Sequence, residues 1–205
     1  MTRYGIAQLL QREPGLKVCG ESGTAARALQ LVESLKPDLV LTDLTMPGKH
    51  GLEFIKDMRA MHPDVAVLVI SMHDEKLYAE RVLRAGGRGY VMKHAGGEEL
   101  LQAVRRVLDG HIYLGEAMTK DALDALAQGR PKKEDLHIGR LTDRELHVFQ
   151  CLGQGLTSRE IGSQLHMSVK TVETHRRHIR QKFGIPTGPG LIKFAVGWMS
   201  SQQSV

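Results

Sequence analysis

Three side chains far apart in the 205-residue chain have the types needed to handle a phosphoryl group: the carboxylate of Asp43, the hydroxyl of Ser71 and the ammonium of Lys93. Each closes an apolar run, in "DLVLTD", "VAVLVIS" and "GYVMK". A carboxylate can attack phosphorus, while a hydroxyl and an ammonium bind the oxygens of the transferred group. If the three runs are neighbouring parallel strands, their ends meet in the crevice where open α/β sheets gather their ligands. Two plainer readings stay open. Asp43 could simply start a turn and bond its own backbone, or pair with Lys93 as an ion pair at a sheet edge.

A second set of residues suits a polyanion. On a helical projection of residues 168 to 183, Val172, Ile179 and Phe183 share one face, with Lys170, Thr174, Arg177 and Gln181 opposite. A short helix with an apolar packing stripe and a polar, basic free face can enter the major groove of a duplex, its start meeting phosphate. Lys170, Arg176, Arg180 and Lys182 are the candidate phosphate binders. The alternative is a surface salt bridge between Glu173 and Arg177, spaced i,i+4 in the favourable order. Glu173 facing DNA is repelled by phosphate unless it accepts from a cytosine amino group.

The elements that must position these groups can be read from the pattern. From residue 16 to 109, β-rich runs alternate with helical stretches: "LKVCGE", 23–35, "DLVLTD", 51–61, "VAVLVIS", 74–85, "GYVMK" and 98–109. Such alternation predicts βαβ units around a parallel sheet. Residues 110–138 change character: a helical stretch, "EAMTKDALDALAQ", precedes "GRPKKEDLHIGR", whose Gly, Pro and mixed charge suggest an exposed tether. Beyond it the pattern is helical only. "TDRE" at 142–145 and "TSRE" at 157–160 are capping boxes that write two helix starts, Ser168 caps a third, and Gly184 and Pro186 end it.

Composition agrees with two domains. Residues 1–138 hold 19 Lys+Arg and 19 Asp+Glu, whereas 139–205 hold 9 and 4, so the whole net charge of +5 lies in the last third. A local basic excess suits nucleic acid, although it also serves solubility. Cys19 and Cys151 have neither disulfide-framework nor zinc spacing, and both are expected to be buried and reduced. No apolar stretch reaches the roughly 18 residues of a membrane span, and the first residues lack signal-peptide character, so a cytoplasmic protein is expected.

With these motifs in view, "DLTMPGKHG", "VISMHD" and "GGRGYVMKHA" resemble the receiver domain of two-component response regulators, over residues 1 to about 109. The resemblance implies a flavodoxin-like fold with Asp43 as phospho-acceptor, Ser71 as switch hydroxyl, Tyr90 as switch aromatic and Lys93 as phosphate-binding cation. It also implies Mg²⁺ held by Asp43, by the backbone carbonyl of Thr45 and by an acidic pair ending the first strand. The chain opens instead in what reads as the first helix, "TRYGIAQLLQRE", without that strand and pair. A start clipped upstream of Met1 is expected, the alternative being a degenerate receiver that phosphorylates weakly. In the family's strand order, 2-1-3-4-5, the missing strand is a central one, and one carboxylate with one carbonyl is a poor cage for a hard cation.

"LTDRE", "GLTSREIGSQL" and "SVKTVETHRRHIRQKFGI" resemble the LuxR-type helix-turn-helix of NarL/FixJ regulators, with residues 158–177 as the unit itself. By that resemblance Glu173, Thr174 and Arg177 face the bases, Lys170, Thr171 and Arg176 lie near the backbone, and His175 occupies the family's histidine position. Gly162 stands where Ala is usual, a change that costs a helix interior about 1 kcal/mol. "GLIKFAVGWM" resembles a dimerisation helix, or equally caps the core.

The expected protein is therefore a receiver over 1–109 with its first strand absent, a linker with helix over 110–138, and an all-α LuxR-type helix-turn-helix domain over 139–205. It would be phosphorylated on Asp43 and regulate transcription, with double-stranded DNA, a sensor histidine kinase and a second copy of itself as partners, no membrane, and no catalysis on a metabolite. A phosphorylation-independent regulator with a degenerate receiver is the alternative. An α/β phosphohydrolase using Asp43 is disfavoured because Thr45 stands where a second aspartate would be needed.

Overall fold

A computed structural model describes residues 3–46, 49–116, 118–120 and 138–202. The chain divides into two compact units, Met1–Asp124 and Ala125–Val205. Pro47 and Gly48, most of the stretch "EAMTKDALDALAQ" expected to be helical and most of the expected tether after it lie outside the described residues.

The first unit is built on three parallel strands, β1 (Leu39–Thr42), β2 (Ala66–Ser71) and β3 (Gly89–Met92), in the order β1-β2-β3. Leu41 is level with Leu68 across the first ladder, and Leu68 with Gly89 across the second. Helices α1 (Arg3–Gln11), α2 (Ala25–Leu35), α3 (Gly51–Met61), α4 (Glu75–Ala85) and α5 (Gly97–Leu108) surround the sheet.

Successive β2 side chains point to opposite faces. Leu68 and Ile70 meet Leu100, Ala103, Val104 and Val107 of α5, with Ile6, Leu9 and Leu10 of α1 packed alongside. On β2, every residue after Ala66 is buried, as expected of a strand paired on both edges and covered on both faces. The helix starts follow their caps: the Thr24 hydroxyl accepts from the Arg27 amide, His50 Nδ1 from Leu52, and the Asp74 carboxylate from Lys76.

Two expectations need correction here. "LKVCGE" forms no strand: residues 16–21 run irregularly, and the Val18 amide donates instead to Gln11 Oε1 at 3.1 Å. A strand exists only by laddering to a neighbour. The sheet begins at β1, and no described strand lies between it and this segment to supply that ladder. Cys19, in the same segment, is consequently exposed, whereas Cys151 is buried as expected. The chain also does more after α5 than lead away. The Tyr113 amide donates to the Arg88 carbonyl (3.0 Å) and the Tyr90 amide to the Tyr113 carbonyl (3.1 Å), forming a parallel bridge on the outer edge of β3.

Among its described residues the second unit packs four helices, α6 (Asp143–Gly153), α7 (Ser158–Leu165), α8 (Val169–Phe183) and α9 (Gly188–Gln202). Both capping boxes form as read from the sequence, at Thr142/Glu145 and Thr157/Glu160. Central α6 buries Leu146, Val148, Phe149, Cys151 and Leu152, and α8 closes the core with Val172 and Ile179. Phe149 lies 5.4 to 5.9 Å from the rings of Phe183, Phe194 and Trp198, spacings at which aromatic pairs add to simple area burial.

Gly162 is no weak point in this packing. A Cβ there would stand 2.7 Å from the Met167 carbonyl oxygen, so the turn between α7 and α8 can close this tightly only over a glycine.

Candidate functional site

The ends of the three strands converge as their spacing predicts. Asp43 follows β1, Ser71 closes β2 and Lys93 follows β3, and Lys93 Nζ lies 2.5 Å from Asp43 Oδ2. Both side chains are about three-quarters buried, at 23% and 25% exposure. The other carboxylate oxygen, Oδ1, accepts from the Thr45 amide at 3.2 Å. The α3 start presses against the same backbone: a Cβ on Gly51 would lie 2.4 Å from the Asp43 carbonyl oxygen. Asp43 is thereby held from both directions, its carboxyl at the rim and its main chain against a helix.

Ser71 is fully buried, its Oγ accepting from the His73 amide at 3.3 Å. Tyr90 is buried one strand away and donates its hydroxyl to the His73 carbonyl at 2.7 Å. Burial, more than the nearby negative charge of Asp43, Glu75 and Asp74, pushes the Tyr90 phenol well above its ordinary range, with Ser71 opposing, so it stays a donor at physiological pH.

Sequence reasoning did not single out His73. Its Nε2 stands 3.0 Å from Thr45 Oγ1 and its ring 5.1 Å from that of Tyr78. Burial, with Lys93 adding and Asp43 opposing, lowers its pKa and favours the neutral imidazole. The available signal was positional: His73 follows Ser71 by two residues, at the same strand end.

The cleft therefore presents the Asp43 carboxylate together with an ammonium, a buried hydroxyl, a threonine hydroxyl and an imidazole. That set suits a tetrahedral oxyanion. It does not suit Mg²⁺, which wants near-octahedral oxygen ligation. Both Asp43 oxygens already take donors, and among the described residues no three His, Cys, Asp or Glu side chains stand together to hold a metal.

In the second unit the eight residues proposed to meet DNA separate into two groups. Lys170, Thr171 and Arg177 are exposed and Thr174 half-exposed, along one side of α8 whose first turn is capped by Ser168. Thr174 Oγ1 donates back to the Lys170 carbonyl. The other four are engaged within the unit. Arg176 is turned inward at 18% side-chain exposure and donates to Ser158 Oγ (2.5 Å) and Glu173 Oε1 (2.9 Å), while Ser158 also donates to Glu173. Arg180 donates to the Pro186 carbonyl at 3.0 Å. Lys182 Nζ lies 2.5 Å from Glu145 Oε2 and 3.1 Å from the Arg140 carbonyl.

Arg176, Arg180 and Lys182, expected from the sequence to meet phosphate, are thus engaged within the unit in this structure, because a projection fixes where a Cβ points, whereas a long side chain bends toward the strongest acceptor in reach. His175 is half-buried, and burial lowers its pKa, His178 and Arg144 adding and Glu145 opposing. This agrees with a packing role.

Comparisons with known proteins agree with both halves. Residues 1–105 match the model of the response regulator receiver domain, and residues 139–195 that of the bacterial regulatory proteins of the luxR family. The chain is 33% identical over 196 residues to the transcriptional regulatory protein DegU of Brevibacillus brevis, covering 89% of this chain and 83% of the relative. It is 33% identical over 196 residues to the response regulator GacA of Pseudomonas aeruginosa, covering 96% and 91%. Its fold resembles that of RcsB from Salmonella enterica bound to promoter rprA in the presence of phosphomimetic BeF3-, at 23% identity and a TM-score of 0.63 over 94% of this chain and 92% of the other. No described helix is long and apolar enough to cross a membrane. With a strand-end acid, hydroxyl and lysine in one unit and a capped, basic helix in the other, the chain belongs to the NarL/FixJ-type response regulators, two-component proteins that bind DNA through a LuxR-type domain to control transcription.

Proposed function

We propose that Asp43 is the phospho-acceptor of this regulator, with residues 1–109 as the receiver, 110–138 as the linker and 139–205 as the DNA-binding domain. An Asp43 oxygen attacks phosphorus as the bond from phosphorus to the donor's leaving group breaks, the imidazole nitrogen of a phosphohistidine or the acyl oxygen of acetyl phosphate, and the Lys93 ammonium with the Ser71 hydroxyl takes the phosphoryl oxygens. The 2.5 Å Lys93–Asp43 contact carries this reading, since it places the cation where the added negative charge would appear. Tyr90, bonded to the loop that follows Ser71, reports the rearrangement of that loop. A sensor histidine kinase is the natural donor, and a dimer on two half-sites in the cytoplasm is the proposed output state.

Lys170, Thr171, Thr174 and Arg177 form the duplex-facing surface. Glu173 joins them once a cytosine amino group replaces its present donors. Receiver domains usually use Mg²⁺ for phosphorylation, and the described donors here do not fit it. That observation favours a second reading, a regulator that binds DNA without phosphate.

Intact-mass measurement after acetyl phosphate treatment separates the two readings, with and without Mg²⁺. A gain of one phosphoryl group in wild type, absent in Asp43→Ala, supports the first. No gain under either condition supports the second.

A further inference from the structure

We propose that Lys182 is a positioning residue for DNA recognition, which sets the angle of α8 by anchoring its last turn to the buried carboxylate of Glu145 at the start of α6. The inference rests on α8 being the duplex-facing helix. Glu145 is 3% exposed, and its side chain does two things at once. Oε2 accepts from the Thr142 amide at 2.7 Å, closing the capping box of α6, and from Lys182 Nζ at 2.5 Å. Lys182 is held a second time by the Arg140 carbonyl at 3.1 Å, just before that box. His178, one turn earlier on α8, brings Nδ1 within 3.9 Å of Glu145 Oε1. The middle of α8 is tied separately, through Arg176 and Ser158, to α7.

Two ties, one at the middle of α8 and one in its last turn, fix the direction of a rod. Helix α8 has 15 residues, so a tilt of about 5° displaces one end by about 2 Å relative to the other. That exceeds what a side chain aimed at a base edge tolerates, whereas phosphate attraction is long-ranged and indifferent to small shifts. Loss of the Lys182 tie therefore costs selectivity first. A residue that merely neutralised phosphate would instead weaken all duplexes alike and lower the salt slope by about one.

The test uses the full chain and two duplexes, one selected by the wild type from a random pool and one random. Its single tryptophan, Trp198, packs 5.5 Å from Phe149 and reports unfolding of the helical unit. Lys182→Met is expected to lower that transition by roughly 10 °C, because it strands a buried carboxylate. In the cold, where the variant is folded, the affinity ratio of selected to random duplex falls about tenfold with the salt slope unchanged. Lys182→Arg keeps a cation and donor and retains both properties. Glu145→Gln keeps the capping box without the charge, so the double variant with Lys182→Met regains most of the lost transition temperature.

An unchanged transition with equal weakening on both duplexes and a slope reduced by about one would overturn the proposal, as would strictly additive losses in the double variant. Arg177→Ala runs beside it. Unchanged base preference there overturns the placement of the recognition face, independently of the brace.

Discussion

Each half of the molecule holds a lysine 2.5 Å from a carboxylate, yet the two pairs differ in what surrounds the acid. Asp43 keeps a quarter of its side chain exposed at a strand end, and its protein donors are one ammonium and one amide. Glu145 retains 4% and is saturated by its own capping box and by Lys182. Burial alone would raise the Glu145 carboxyl, but the bonds from Lys182 and from the Thr142 amide and hydroxyl outweigh it and hold the pKa below its ordinary value. An accessible carboxylate with few donors can still react. One that is buried and satisfied can only hold helices together.

The contrast breaks most visibly under truncation. Glu145→Ala should cost about 3 kcal/mol in chemical denaturation of the helical unit, because it removes a cap and strips a lysine of its partner. Asp43→Ala should cost the first unit under about 1 kcal/mol, as expected of a partly solvated ion pair. Equal costs would erase the distinction.

A second, smaller effect concerns the exposed side of α8. Arg177→Ala should lose about 1–3 kcal/mol of discrimination between selected and random duplex, measured by titration binding at fixed salt. Arg180→Ala, whose guanidinium already serves the Pro186 carbonyl, should change the ratio little. A larger effect at 180 than at 177 would reverse the assignment of the free and engaged cations.

Gly162→Ala should destabilise the helical unit by about 1 kcal/mol, although in an open helix interior the same change stabilises by that amount. The added methyl would collide with the Met167 carbonyl oxygen. A rise in the melting temperature would show that the α7–α8 turn relaxes freely.

Acidification sharpens the comparison last. His175 has its pKa lowered in the folded state, so the unfolded chain binds more protons just below 6.5 and stability falls as pH drops through that value. Glu145 titrates below its ordinary 4.5, so its contribution persists to lower pH and is lost as pH falls through the depressed folded value. The stability of the helical unit should thus decline in two stages as pH falls, with His175→Gln flattening the upper one.

Much of this was legible from short-range rules. Thr142 and Thr157 announce their helices because a capping box needs only four consecutive residues. The buried β2 shows as an unbroken apolar run, and the acid, hydroxyl and lysine show as polar residues closing such runs. "LKVCGE" has the composition of a strand and failed as one because a strand's existence depends on a neighbour that composition cannot supply. Tyr113 is the reverse case: nothing in "HIYLG" predicts a bridge to β3, yet the outer edge of that strand offered backbone groups that needed partners. His73 was passed over because proximity to Thr45 requires knowing that the loops after β1 and β2 lie side by side.

Periodicity, caps and residue chemistry gave the two-part plan, most of the elements and the strand-end position of Asp43, since each depends on interactions within a few residues of chain. Which cations stay free to meet a duplex and which are consumed as internal ties was decided only by folding. Glu145 lies 37 residues from Lys182, and a partner at such a distance is chosen by packing, which no local pattern encodes.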